Sequence, residues 1–295
     1  MTESDDGAEH PWTHTRGAGL AAVVVAMTGF SWGFVLIKAI PLQPAVLAFW
    51  RLLIGVAFLT ITATILRIPW PRQRGLVLLA GLAFGAHQLI FIAATKMTSI
   101  AIVTLMGATM PLVVTLASGR AIGERLSPLF ILASLLAVAG VGVVMHANID
   151  SSSRSSTGDI LAFVNVIVFA GYFLVAKRAR MSGAPTVTFT AGFLAVSLAV
   201  VIPAMFWQGF AVPSATNFGL LAVLALGPGN GHLLVNWAHR RISAALSSLV
   251  LASIPLLSSL WAYLVLDEQF TLRHGIGMVI VIIAIEIGRR AEANA

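Results

Sequence analysis

The sequence predicts an all-α integral membrane protein: ten transmembrane helices, arranged as two inverted five-helix repeats around a central cavity. Three observations carry that prediction. The 295 residues are 58% hydrophobic and only 10% charged, with a mean hydropathy of +0.95, whereas soluble domains carry roughly a quarter charged residues. The apolar residues fall into ten long runs. Finally, the chain repeats itself: Ser99 to Pro111 (SIAIVTLMGATMP) aligns with Ser243 to Pro255 (SAALSSLVLASIP) at an offset of 144 residues. The same offset carries Gly85 onto Gly229 and Glu124 onto Glu268, and a slightly smaller one carries Phe30, Phe34 and Lys38 onto Phe169, Phe173 and Lys177.

In order, the runs occupy 20–38, 44–66, 75–94, 98–119, 128–147, 158–177, 185–207, 216–238, 243–266 and 271–288. Each is near the ~20 residues that cross a hydrocarbon core of about 30 Å as a helix. They are too long, and alternate too little, for membrane-spanning strands. Five spans per half is an odd number, so the second half must lie inverted relative to the first. Inverted repeats place a binding site at their interface near the bilayer midplane, the arrangement of secondary transporters. The first span is not a cleaved leader, because its flank (TESDDGAEH) is acidic rather than basic; that flank is expected to be disordered.

Lysine and arginine set the orientation. One set of connections holds 13 of them: Arg16, Arg67, Arg72, Arg74, Arg120, Arg125, Lys177, Arg178, Arg180, Arg240, Arg241, Arg289 and Arg290. The other set holds 4: Lys38, Lys96, Arg154 and Arg273. The positive-inside rule places both termini in the cytoplasm, as in a multi-pass protein of the bacterial inner membrane. The net charge of +7 and pI near 11.0 follow from this loop bias. No basic stripe or aromatic platform accompanies them, so nucleic acid is not an expected partner. Cysteine is absent, which excludes disulfides, thiolate metal sites and thiol nucleophiles.

The one break in composition is HANIDSSSRSSTGD, residues 146 to 159. It divides the chain into a cytoplasmic tail (1–19), a first repeat (20–147), an outer-face linker (148–158) with its boundary near Ser152, a second repeat (159–290) and a short tail (291–295). Thr157 or Asp159 is placed to cap the sixth helix.

PAVLAFWRLLIGVAFL, IFIAATKMTSIAIVTLMGATMPLVV, AIGERLSPLFILASLLAVAGVGVV and LVLDEQFTLRHGIGMVIVIIAIEI together resemble the drug/metabolite transporter superfamily, specifically its ten-span EamA-type members. Their order and duplication, over about residues 20 to 290, carry the resemblance. It implies a basket of two five-helix repeats that exports small metabolites without ATP, and the aromatic amino-acid exporters are the subgroup it points to. It also implies an intrinsic role for Arg51, since a matching arginine recurs in the family; the alternative is a long side chain snorkelling to the outer interface. The pair Asp267–Glu268 departs from the usual glycine–glutamate.

Spans three and eight attract attention as a pair. The third carries His87 and Gln88 near its middle, and the eighth carries Gly227-Pro228-Gly229-Asn230-Gly231. Proline and glycine weaken a helix, and a helix broken at that depth must face protein or a water-filled cavity. Corresponding interruptions in two halves point to a carrier site. The alternative for Gly81, Gly85, Gly227 and Gly231 is close helix packing. Pro111 and Pro255 occupy equivalent places in spans four and nine, where kinks are expected. The hinge or helix-break candidates are therefore Pro111, Pro228, Gly229 and Pro255. Substrate-binding candidates are Trp32, Phe84, His87, Gln88, Phe91, Met106, Asn230 and Asn236, whose rings, thioether and amides would suit an aromatic metabolite. His232 and Asn165 are read as contacts or as helix-joining groups, and Glu124 and Glu268 as caps of the following helix or partners of Arg125 and Arg273.

Absences narrow the mechanism. There is no GxxxxGK[ST] loop, and hence neither ATP hydrolysis nor an implied ATPase partner; no HExxH or GxSxG motif; and no expected metal or cofactor. The function these features imply is secondary export of small metabolites, aromatic or other neutral amino acids foremost, by alternating access. Export of drugs, nucleosides or sugars is the alternative, with a membrane-embedded enzyme or scramblase behind it.

Overall fold

The computed structural model describes residues 15–124, 127–146, 155–266 and 272–293, and every element among them is helical. Seven spans are single helices: α1 (Arg16–Ala39), α2 (Pro44–Ile65), α3 (Arg74–Met97), α6 (Pro128–His146), α7 (Ser156–Met181), α8 (Thr186–Trp207) and α13 (Leu272–Ala293). Three spans are each two half-helices: α4 (Ile100–Gly107) with α5 (Met110–Ile122), α9 (Ala215–Leu226) with α10 (Pro228–Ala238), and α11 (Ala244–Leu251) with α12 (Ile254–Leu266). Nine of the ten have the length and hydropathy to cross a bilayer; α13 carries Glu286, Arg289, Arg290 and Glu292 towards its end. Helices are the only open-chain solution here, since hydrocarbon offers backbone groups no partner.

The breaks fall differently from the sequence expectation in one respect. In spans four and nine the regular helix lapses after Gly107 and Leu251 while Ala108, Thr109 and Ala252 keep right-handed helical dihedrals, and Pro111 and Pro255 sit in the first turn of α5 and α12. A proline lacks the backbone donor and is tolerated where that donor would be unbonded anyway. Pro228 opens α10 in the same way after Gly227. The third span, by contrast, is continuous from Arg74 to Met97, so the expected pairing of breaks in spans three and eight does not occur. Its glycines serve packing instead: a Cβ on Gly81 would lie 2.4 Å from Val196 Cβ and one on Gly85 2.8 Å from Val200 Cβ.

Several boundaries also move. Ser155, rather than Thr157 or Asp159, caps α7, its Oγ accepting from Gly158 N at 3.4 Å; Asp159 instead accepts the Thr98 hydroxyl at 2.6 Å. The expected linker thus ends inside the first turn of α7, and the expected N-terminal tail inside α1. The acidic flank, Ser152, Arg125, Asp267 and Glu268 lie outside the described residues. The last turn of α7 extends past Lys177, so Lys177 and Arg180 are buried rather than in a loop. Lys177 Nζ donates to the His239 and Ile242 carbonyls (2.6 and 2.7 Å) and Arg180 Nε to Asn236 O (3.0 Å), cations set on the carbonyl end of α10.

The two halves interlock. From the first half, α3 packs between α7 and α8, α2 against α8 and α9, α1 against α10, and α6 against α13. The α6–α13 seam is close-packed at two glycines: a Cβ on Gly277 would stand 2.6 Å from the Gly140 carbonyl oxygen, and one on Gly140 2.9 Å from that of Gly277, with Val144 and Val281 beside them. The core centres on the rings of Phe84, Tyr172, Phe173, Phe189 and Phe193, all fully buried.

Candidate functional site

Where the half-helices end, the bundle holds a partly open cavity of about 110 Å³. Residues of all three broken spans line it: Thr104, Gly107 and Ala108 with Met110; Leu224 with Pro228 and His232; Ser248, Leu251 and Ala252 with Pro255. From α1 come Phe30, Gly33, Phe34 and Ile37, a stripe at helical spacing. The rest of the wall includes Arg51 of α2, His87 and Phe91 of α3, and Asn165, Val166 and Phe169 of α7.

Four phenylalanines and two histidines give that wall its ring contacts. The His87 ring stacks on Phe169 (centroids 4.3 Å, planes 26° apart) and on Phe91 (5.4 Å, 21°). Phe30 lies 4.8 Å from the His232 ring, and Phe34 meets Phe91 edge-on at 5.3 Å. Two polar contacts fix its orientation. His87 Nδ1 is 2.7 Å from Asn165 Oδ1, joining α3 to α7 across the repeat boundary. Arg51 Nη1 donates to Gln88 Oε1 at 2.8 Å, joining α2 to α3. Arg51 is 7% exposed and its head faces inward. It does not snorkel, because Gln88 and the cavity lie within its reach and the outer interface does not define its contacts.

The eight sequence candidates for binding divide. His87 and Phe91 form the wall, and Gln88 stands behind it holding Arg51. Phe84 is one layer further out, 5.3 Å from the His87 ring and 4.7 Å from that of His232. Asn236 lies in the same supporting layer, Nδ2 donating to Tyr172 Oη (3.3 Å) and Thr190 Oγ1 (3.2 Å). Met106 packs with Phe34, Val103 and Ala162 rather than on the lining, where Met110 stands instead. Asn230 is turned away, its Nδ2 bonded to the Leu226 carbonyl at 2.7 Å. Trp32 is 38% exposed and packs on Trp261 at 5.6 Å, on the side of α1 away from Phe30 and Phe34. Of the break residues, Pro228 and Pro255 line the cavity, while Pro111 and Gly229 do not.

Phe30, Phe34, Asn165, Phe169 and His232 also line the wall; His232 and Asn165 are read from the sequence as contacts or as helix-joining groups, and the three phenylalanines stand outside the eight candidates. Helical period could have found two of them: Phe30, Gly33, Phe34 and Ile37 share one face, and Trp32 does not. The internal repeat could have found a third, since Phe30 and Phe169 are equivalent positions. Glu124, read as a cap or a partner of Arg125, spans to the second half instead: its Oε1 accepts from Ala244 N at 3.0 Å and lies 3.6 Å from Lys177 Nζ.

Among the described residues, no group of three or more His, Asp or Glu could hold a metal ion. No curated protein matches the chain in sequence. A solved crystal structure shares its fold: the TM-score is 0.77 over 95% of this chain and 99% of that chain, at 18% identity. The EamA-like transporter family matches twice, at residues 17–146 and 156–287, one match to each half of the bundle. With its two interlocked five-span halves around a membrane-embedded cavity, the chain belongs to the EamA-like transporter family of small-molecule membrane transporters.

Proposed function

We propose that this protein exports small metabolites, aromatic or other neutral amino acids foremost, across the bacterial inner membrane by alternating access, with both termini cytoplasmic. One observation carries the reading: a cavity walled by stacked rings and two histidines, at the point where three spans break into half-helices. Rings of this kind recognise a planar apolar group, and the breaks supply joints at the same depth. The bias of basic residues towards one set of span ends, 13 against 4, supports the orientation, with Lys177 and Arg180 at the end of α7 rather than in a loop. In this reading the halves 20–147 and 159–290 move about the cavity, joined through 148–158. His87, Phe91, Phe30, Phe34, Phe169 and His232 contact substrate, and Gln88, Phe84 and Asn236 hold them in place.

Flux of labelled amino acids into proteoliposomes, with and without a pH gradient, tests this. Saturable uptake of phenylalanine or tryptophan is expected, falling at least tenfold in His87→Ala. Failure of every amino acid to move, with drugs or nucleosides carried instead, would replace the substrate class and leave the transporter.

A further inference from the structure

Among the described residues, the cavity holds one permanently charged group and no carboxylate to balance it. Arg51 is buried, and Gln88 Oε1 is the single acceptor the described residues offer its five N–H groups. No described aspartate or glutamate lines the cavity. The described carboxylates are occupied elsewhere: Glu124 with Lys177 and Ala244 N, Asp159 with Thr98, Glu286 with Arg289 and Arg290, and Glu292 with Ser243 N. Beside Arg51, Gln88 Nε2 is buried without an acceptor, a second donor left over at the same spot. A cation inside a membrane bundle ordinarily pairs with an anion, and a guanidinium fork matches a carboxylate in two parallel hydrogen bonds. The stacked His87, Phe91 and Phe169 rings occupy the same wall.

Taking the cavity as the transport site proposed above, we infer that Arg51 receives the carboxylate of the substrate, and that within the small metabolites of that reading aromatic monocarboxylates without an amine are preferred to the amino acids. The wall has no carboxylate to receive an ammonium group, so an amino acid brings a charge the site leaves unpaired. An aromatic acid brings only the charge that Arg51 lacks.

Four probes with one phenyl ring and matched chain length decide the matter on the full chain in nanodiscs: 3-phenylpropionate, phenylalanine, 3-phenylpropanamide and 2-phenylethylamine. Titration calorimetry is expected to rank 3-phenylpropionate at least tenfold tighter than the amide and the amine, with phenylalanine between. Arg51→Gln should lose at least tenfold for the acid and nothing for the amide, and Arg51→Lys should recover part of the loss. Acid and amide binding equally, or an acid preference that survives Arg51→Gln, would overturn the inference. If Arg51→Gln does not fold, the ranking on the unaltered protein decides alone. If phenylalanine is carried with no head-group preference, this inference falls and the transport reading stands. If no aromatic compound binds or moves, this inference and the aromatic substrate class fall together, and the transporter stands.

Discussion

Half-helices α4 and α11 are the same eight-residue device used twice, and they are held very differently. Each is capped by a serine, Ser99 Oγ accepting from Ile102 N at 3.2 Å and Ser243 Oγ from Leu246 N at 3.0 Å. Each ends at a break that a proline-bearing half-helix follows. Yet all eight residues of α11 are buried, against only Ile102, Val103 and Thr104 in α4. The start of α11 also receives two carboxylates, Glu124 on Ala244 N and Glu292 on Ser243 N, with Lys177 drawn in beside Glu124. The start of α4 has its serine and the neighbouring Thr98–Asp159 bond. Acidic groups at a helix N-terminus complement its dipole, so the arginine-rich end of the bundle is the firmly tied one. An inverted repeat makes the two ends equivalent in form; the carboxylates make them unequal in strength.

The largest expected effect comes from cutting the stronger tie. Glu124→Ala takes the paired carboxylate from buried Lys177 and leaves it only the more distant Glu292, a loss on the order of 3 kcal/mol, seen as a lower unfolding temperature in detergent. A cysteine placed at Ser248, on the cavity wall of a chain with none of its own, should then react with a soluble maleimide at least tenfold faster. Unchanged labelling would mean that the tie stabilises without closing anything.

A smaller effect separates the two caps. Ser99→Ala should cost about 1 kcal/mol, the usual worth of an N-cap. Ser243→Ala should cost roughly half as much, because Glu124 and Glu292 still serve neighbouring N–H groups of α11. Equal losses in parallel unfolding experiments would remove the distinction drawn between the ends. Smallest of the three is Thr98→Val, which deletes a single hydrogen bond to Asp159 and should cost about 0.5 to 1 kcal/mol. Its signature is a shift in labelling of a cysteine at Thr104, with little change in unfolding temperature.

The comparison also marks what sequence could reveal. The spans and the repeat were legible because apolar run length and register are local properties of the chain. The breaks at Pro111, Pro228 and Pro255 were legible for the same reason. The expected break in α3 was not there, because Gly81 and Gly85 carry no proline and Val196 and Val200 fill the space beside them; a glycine alone does not say whether a neighbour or a gap faces it. At the site, His87 and Phe91 were found from polarity and ring content within one span. Trp32 and Asn230 were placed there on residue type, and helical angle turns both away. The two readings of Arg51, inward or snorkelling, differ only in which neighbour the head finds, and that neighbour, Gln88, is 37 residues away in the chain.

The glycine seam between α6 and α13 has a bearing on leakage. A carrier that moves solutes must not let ions slip past while it does so. Side chains at a helix interface change rotamer and open transient gaps; backbone set against backbone at Gly140 and Gly277 has no rotamer to change. On that flank main chain meets main chain at the two glycines, with the side chains of Val144, Ile280 and Val281 closing the space beside them.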